Sequence, residues 1–209
     1  MLLRHPQIWI FTDDICEKLV YDSAVFATMA QAEPRLPDRT ITMNGCSKSY
    51  AMTGWRLGFA GAPRDLIREM GKLQGQSASN TSSISQAAAI AALNGPQDSV
   101  AAMRQAFARR RQMVVSMLNQ AAGLRCHQPD GTFHVFPDLR ETLGRTSAGG
   151  AAIITDTDFV AALLAKHGVA VVPGSALLGP GHFRLSYAAA DDTLREACAR
   201  IRRFCAELH

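Results

Sequence analysis

Residues 40–61 constrain the fold more than any other stretch. Thr40-Ile41-Thr42-Met43 alternates polar and apolar residues as a strand does. It runs into Asn44-Gly45-Cys46-Ser47-Lys48-Ser49-Tyr50-Ala51-Met52-Thr53-Gly54, where small and hydroxyl residues suit a turn. Arg56-Leu57-Gly58-Phe59-Ala60-Gly61 then reads as a second short strand, stopped by Ala62-Pro63. Lys48 therefore lies just past a strand's carboxyl end, and Arg56 follows eight residues later. A lysine walled by apolar groups loses hydration, which raises the neutral amine fraction. A neutral amine condenses with a carbonyl to form a Schiff base. An arginine offers a fixed cationic fork suited to phosphate. Those are the two groups that pyridoxal phosphate (PLP) requires. The plain alternative is a solvated surface lysine, the usual state of that residue.

Ile8-Trp9-Ile10-Phe11-Thr12 is continuously apolar up to Thr12, with β-branched and aromatic residues, and predicts a buried, parallel strand. It delivers Asp13-Asp14-Ile15-Cys16-Glu17 at its carboxyl end, where open α/β sheets place their ligands. Asp13 equally suits a turn cap. Residues 27–39 hold two prolines and read as a connector. Pro63 opens a helix to residue 73 with Leu66, Ile67 and Met70 on one face. Residues 74–83, rich in Ser, Gly and Asn, read as a loop, and the Ala-rich run 85–93 as a helix ended by Asn94-Gly95-Pro96.

A long helix over 98–120 has an apolar stripe through Val100, Met103, Phe107, Met113, Val114, Met117 and Leu118. It is expected to bridge a large domain to a small one. Residues 124–136 predict two strands about Pro129-Asp130-Gly131, 140–150 a loop, and 157–167 a helix with Asp156 or Asp158 near its start. Val169-Ala170-Val171-Val172 predicts a strand, followed by a turn at Pro173-Gly174-Ser175. Alternation in 181–188 predicts a strand with Arg184 on the face opposite Phe183 and Leu185. Residues 191–208 predict a helix with Leu194, Ala197, Cys198, Ile201 and Cys205 inward.

Composition excludes several classes. Apolar residues at 47% and charged residues at 19% are an ordinary soluble mix. No apolar run reaches membrane-spanning length. Met1-Leu2-Leu3-Arg4-His5-Pro6-Gln7 lacks the apolar core of a signal peptide. Five scattered cysteines (Cys16, Cys46, Cys126, Cys198, Cys205), with no CxxC pair, argue against a disulfide framework or zinc and for a reducing cytoplasm. The net charge of +4 collects on helices, at Arg109-Arg110-Arg111 and at Arg200, Arg202 and Arg203. With no aromatic platform beside them, these are read as solvated helix faces, not a nucleic-acid surface.

Ser47-Lys48-Ser49-Tyr50-Ala51-Met52-Thr53-Gly54-Trp55-Arg56-Leu57-Gly58-Phe59-Ala60-Gly61-Ala62-Pro63 resembles the PLP-lysine signature of class I/II aminotransferases, the aspartate aminotransferase-like branch. The resemblance implies that Lys48 holds PLP and that Arg56 binds its phosphate. Thr12-Asp13-Asp14-Ile15-Cys16-Glu17-Lys18-Leu19-Val20-Tyr21-Asp22 resembles the family's Ser/Thr-Asp-Glu-Ile-Tyr-Glu-x-Leu-Val-Tyr-Asp, in which the residue matching Asp13 pairs with the protonated ring nitrogen. Cys16 stands where the family has a tyrosine that hydrogen-bonds the ring oxygen; a thiol is a weaker, shorter donor. Residues 74–83 resemble the family loop that reaches the neighbouring subunit's cofactor, with Ala78 for a threonine. Pro129-Asp130-Gly131-Thr132-Phe133-His134-Val135-Phe136 resembles Pro-x-Gly-Ala-Phe-Tyr-x-Phe, with Thr132 for alanine and His134 for tyrosine. Gly181-His182-Phe183-Arg184-Leu185-Ser186-Tyr187-Ala188 resembles the segment whose arginine, here Arg184, clamps the substrate α-carboxylate.

The resemblance implies an α/β chain of PLP-dependent transferase fold type I. Residues 1–97 are expected to form the C-terminal part of a large, mostly parallel-sheet domain, and 98–209 an α+β small domain. It implies PLP as cofactor, amino acid and 2-oxo acid as substrates, and a homodimer; from the composition and spacing above, no nucleic-acid, membrane or metal partner is expected. Only the C-terminal half of the family pattern is matched; its Asn-Pro-x-Asn-Pro-Thr-Gly segment is not found. A truncated reading frame, a split-gene product or a fragment is expected. The alternative expectation is an inactive remnant or subunit that needs a partner supplying the N-terminal half.

Overall fold

A computed structural model describes residues 1–209. The chain forms two units, Met1–Arg104 and Gln105–His209, with the boundary inside one long helix.

The first unit contains β1 (Ile10–Asp13), the short α1 (Met29–Ala32), β2 (Thr40–Gly45), β3 (Gly58–Gly61), α2 (Arg64–Ser77), α3 (Ser83–Asn94) and the start of α4 (Asp98–Leu118). Its sheet has the order β1-β2-β3. β1 and β2 are parallel, with Ile10 opposite Thr40 and Asp13 opposite Met43. β2 and β3 are antiparallel, with Thr42 opposite Gly61 and Gly45 opposite Gly58. The connector between the parallel strands is ordered by a capping box at α1. There the Thr28 hydroxyl accepts from Gln31 N–H at 3.2 Å, and the Gln31 side chain accepts from Thr28 N–H at 3.1 Å.

The expectation of a buried strand over 8–12 is corrected. Pairing covers Ile10–Asp13, and of these residues only Ile10 is buried. Trp9 and Phe11 are 55% and 61% exposed. The cause is position: β1 is an edge strand, and no element of this unit covers the face carrying Phe11. The expected loop at 74–83 is also corrected, because α2 continues to Ser77 and Ala78 N–H still donates to Gln74 C=O at 3.0 Å. Ser and Gln weaken a helix by only tenths of a kcal/mol, and Gly by about 1 kcal/mol, too little to stop one already nucleated.

The second unit adds β4 (His134–Val135), α5 (Asp156–His167), β5 (Val172–Pro173), β6 (Phe183–Ser186) and α6 (Asp191–Glu207). Its sheet runs β4-β6-β5, antiparallel throughout. α5 starts at a capping box between Thr155 and Asp158 and ends at Gly168, whose φ of +64° suits the left-handed cap. Phe159 stacks on Phe183 at 5.6 Å and meets Phe204 edge-on at 5.1 Å, at the centre of a core that also holds Val114, Leu118, Leu163, Tyr187 and Ile201.

Two expected strands shrink. Of the pair predicted over 124–136 only His134–Val135 forms a strand, and Arg125 makes an isolated bridge to Asp138. The Asn119 side chain takes the partner's place: it accepts from Cys126 N–H at 2.8 Å and donates to Cys126 C=O at 2.9 Å. Of 169–172 only Val172 pairs, together with Pro173. All five cysteines are free thiols. Burial pushes Cys126 and Cys205 up to about 12 and Cys198 up to about 11, which keeps them as inert core residues. No helix is long and apolar enough to cross a membrane.

Candidate active site

The register of the first sheet brings three expected residues to one end of it. Asp13 closes β1 opposite Met43, Lys48 follows the end of β2 by three residues, and Arg56 precedes Gly58, the partner of Gly45. Asp13, Lys48 and Arg56 thus belong to neighbouring turns at the carboxyl ends of β1 and β2. Arg184 lies in the second unit, in the middle strand of its own sheet.

The lysine turn is wound tightly. Cys46 C=O accepts from the N–H groups of Tyr50 and Met52, each at 3.3 Å, and Lys48 C=O accepts from Ala51 N–H at 3.2 Å. Ala51 has a φ of +54°, the left-handed geometry such a reversal needs. Lys48 is half-buried, and Cys46 and Ser49 on either side are buried. The Ser49 hydroxyl donates to Ile15 C=O at 3.3 Å, while Ile15 N–H donates to Asp13 Oδ1 at 3.3 Å. Ile15 therefore ties the aspartate turn to the lysine turn. Asp13 itself is exposed, and Ile15 takes only one of its acceptor sites.

The close approach of β3 depends on Gly45. A Cβ there would stand 3.0 Å from Leu57 C=O and 3.3 Å from the Gly58 Cα. Gly45→Ala is expected to push the arginine segment away from β2 and to cost about 1–3 kcal/mol, as overpacking does. A urea titration of the variant and the parent chain checks this, and an unchanged midpoint would contradict it.

Arg56 ends a single 3-10 turn (Thr53–Trp55) with φ of +51°. Its Nη1 donates to Thr53 C=O at 2.8 Å, and Arg56 lines an open hollow of about 490 Å³ together with Trp55, Gln74, Ala78, Thr81 and Ser85. Ser85, buried on α3, fixes this turn by donating to Trp55 C=O at 2.7 Å. Nothing in the sequence marks Ser85, because its partner is a backbone carbonyl 30 positions away.

Arg184 is half-buried between the buried Phe183 and Leu185, as the alternation predicts. Its guanidinium makes no hydrogen bond or ion pair within the chain. Its donors are therefore not taken up by any group of the chain. His134 of the same sheet sits 3.3 Å from the Thr132 hydroxyl through Nδ1, and Thr132 holds a φ of +62°.

These residues suit PLP. The exposed carboxylate of Asp13, the half-buried amine of Lys48 and the free guanidinium donors of Arg56 match a ring nitrogen, an aldehyde carbon and a phosphate. Cys16, half-buried in the turn after Asp13, has no phenol to offer the ring oxygen.

The sequence model of the aminotransferase class I and II family matches residues 1–201. Over 208 residues the chain is 57% identical to the aspartate/prephenate aminotransferase of Cereibacter sphaeroides and 51% identical to the aspartate aminotransferase of Rhizobium meliloti strain 1021. Both alignments cover all of this chain, but 52% and 51% of those proteins. The crystal structure of a Rhizobium meliloti aspartate aminotransferase superposes with a TM-score of 0.96 at 50% identity, over 100% of this chain and 52% of that one. An aromatic aminotransferase from Pyrococcus horikoshii gives a TM-score of 0.87 at 37% identity, over 99% and 53%. The chain spans about half the length of the curated relatives it matches.

Proposed function

The chain belongs to the class I and II aminotransferase family, and on that premise we propose that it serves PLP-dependent transfer of an amino group between an amino acid and a 2-oxo acid. The observation that carries the reading is the meeting of Asp13, Lys48 and Arg56 at one end of the first sheet. Lys48 would hold the cofactor's aldehyde carbon through Nζ, Arg56 its phosphate, and Asp13 its ring nitrogen. When bound, PLP supplies an electron sink for the pair released at the substrate α-carbon. Arg184 binds the substrate α-carboxylate with two parallel hydrogen bonds. Lys48 Nζ, released when the substrate's amino group takes its place on that carbon, would take the α-proton as general base and hand it back as general acid. Asp13 keeps a proton on the ring nitrogen by offering it an anionic acceptor. Aspartate as amino donor and prephenate as acceptor are the proposed substrates, on the strength of the names its relatives carry.

In this reading residues 1–97 form the C-terminal part of the large domain and residues 98–209 the small domain. The working form is a homodimer completed by the preceding half of the family fold, in a reducing cytoplasm that suits five free thiols. A second reading, a subunit inactive by itself, is favoured by one observation: Trp9, Phe11, Phe59, Leu73, Ile84 and Ile90 are exposed apolar side chains of one unit. A single assay serves both. Transamination is measured for the chain alone and after mixing with the N-terminal half of the Rhizobium meliloti aspartate aminotransferase. Trace activity alone and recovery on mixing are expected; no turnover in either mixture would overturn the aminotransferase reading.

Cys16→Tyr should strengthen PLP retention in the assembled protein. The added phenol hydrogen bond is worth about 0.5–1.5 kcal/mol, roughly a two- to tenfold lower dissociation constant. Equal constants for the two forms would count against it.

A further inference from the structure

Asp14 is the one buried carboxyl of the first unit, and it behaves unlike its neighbour Asp13. It is only 7% exposed. Its backbone is held on both sides: N–H donates to Met43 C=O at 2.8 Å, one residue past the strand pairing, and C=O accepts from Glu17 N–H at 2.9 Å. Asp14 Oδ2 is sealed from solvent with no hydrogen-bond partner, and so is Thr12 Oγ1. No cation pairs with Asp14, and the charges that act on it, Glu17 and Asp13, are both acidic. An ionised oxygen sealed without a donor is far costlier than a neutral carboxyl in the same place. Burial pushes the Asp14 carboxyl above the usual range. The Thr12 hydroxyl, near but outside hydrogen-bond geometry, pulls the other way, and Glu17 and Asp13 add to the rise.

We infer that Asp14 is a positioning residue: a buried, neutral carboxyl that anchors the turn after β1 and leaves Asp13 as the lone anion facing the cofactor's ring nitrogen. The inference rests on the role proposed for Asp13. An ionised Asp14 would set a second negative charge on the residue next to Asp13, and a neutral Asp14 removes that repulsion. The same burial turns Asp13 outward, because successive side chains take opposite faces at a strand's end.

The test follows side-chain carboxyl resonances of the chain labelled with ¹³C-aspartate as pH is raised, with Asp14→Asn identifying the signal. The Asp14 signal should keep its carboxylic-acid position after the exposed aspartates have become carboxylates. An Asp14 signal that moves together with them overturns the inference. Positioning is read from PLP binding to the chain assembled with the N-terminal half. Asp14→Ala should weaken it about tenfold, the worth of one well-placed interaction, and Asp14→Asn should restore most of that loss. Unchanged PLP affinity in Asp14→Ala overturns the positioning role. Unchanged affinity in Asp13→Asn overturns the Asp13 assignment instead, and the resonance measurement still decides the state of Asp14.

Discussion

Lys48→Ala is expected to abolish both covalent retention of PLP and transamination in the assembled protein. The side chain has two duties in the proposed chemistry, attachment of the cofactor and removal of the α-proton. Loss of a positioned general base alone commonly costs about 10²–10⁴-fold in rate. Loss of attachment adds to that by lowering cofactor occupancy. The turn should survive the change, because the hydrogen bonds through the backbone of Cys46, Lys48, Tyr50, Ala51 and Met52 and through the Ser49 hydroxyl remain. Far-UV circular dichroism of the variant should therefore match the parent. A variant that folds, binds substrate and still turns over within tenfold of the parent would remove Lys48 from the mechanism.

Arg184→Ala should act on binding. The guanidinium is half-buried and has no partner in the chain, so its full hydrogen-bonding capacity is open to a carboxylate. Removing one member of a desolvated, hydrogen-bonded charge pair costs about 2–5 kcal/mol, or roughly 30-fold to several thousandfold in affinity. The loss should appear chiefly as a raised KM for the amino acid, because the carboxylate is held alike in the ground and transition states. Arg184→Lys should recover only part of it, since an ammonium cannot form the two parallel bonds. The fold should tolerate the change, with Phe183 and Leu185 still filling the core on the other face of β6. An unchanged KM in Arg184→Ala would place the carboxylate site elsewhere.

Much of the site was legible because its residues lie in short, locally determined segments. The pattern over 40–61 placed Lys48 just past one strand's carboxyl end and Arg56 at the start of the next, and alternation alone set Arg184 opposite Phe183 and Leu185. The supporting interactions were not legible, because they join distant segments through the backbone. Ser85 reaches Trp55 C=O, and Ser49 reaches Ile15 C=O; neither pairing leaves a pattern in residue spacing. Asp13 and Asp14 look alike in sequence, yet one is exposed and the other sealed. Strand lengths failed where a side chain replaced a strand partner, as Asn119 does at Cys126. The apolar run at 8–12 suggested burial on both faces, but hydrophobicity does not reveal whether a unit supplies a cover, and Trp9 and Phe11 remain exposed.

Lys48, among all lysines of the chain, is the residue proposed to join PLP. The direct measurement is to mix the assembled protein with PLP, reduce with borohydride, digest, and locate the modified residue by mass spectrometry. One dominant pyridoxyl adduct is expected, on the peptide bearing Lys48, and it should disappear in Lys48→Ala. Labelling spread over Lys18, Lys72 and Lys166, with no preference for Lys48, would contradict it.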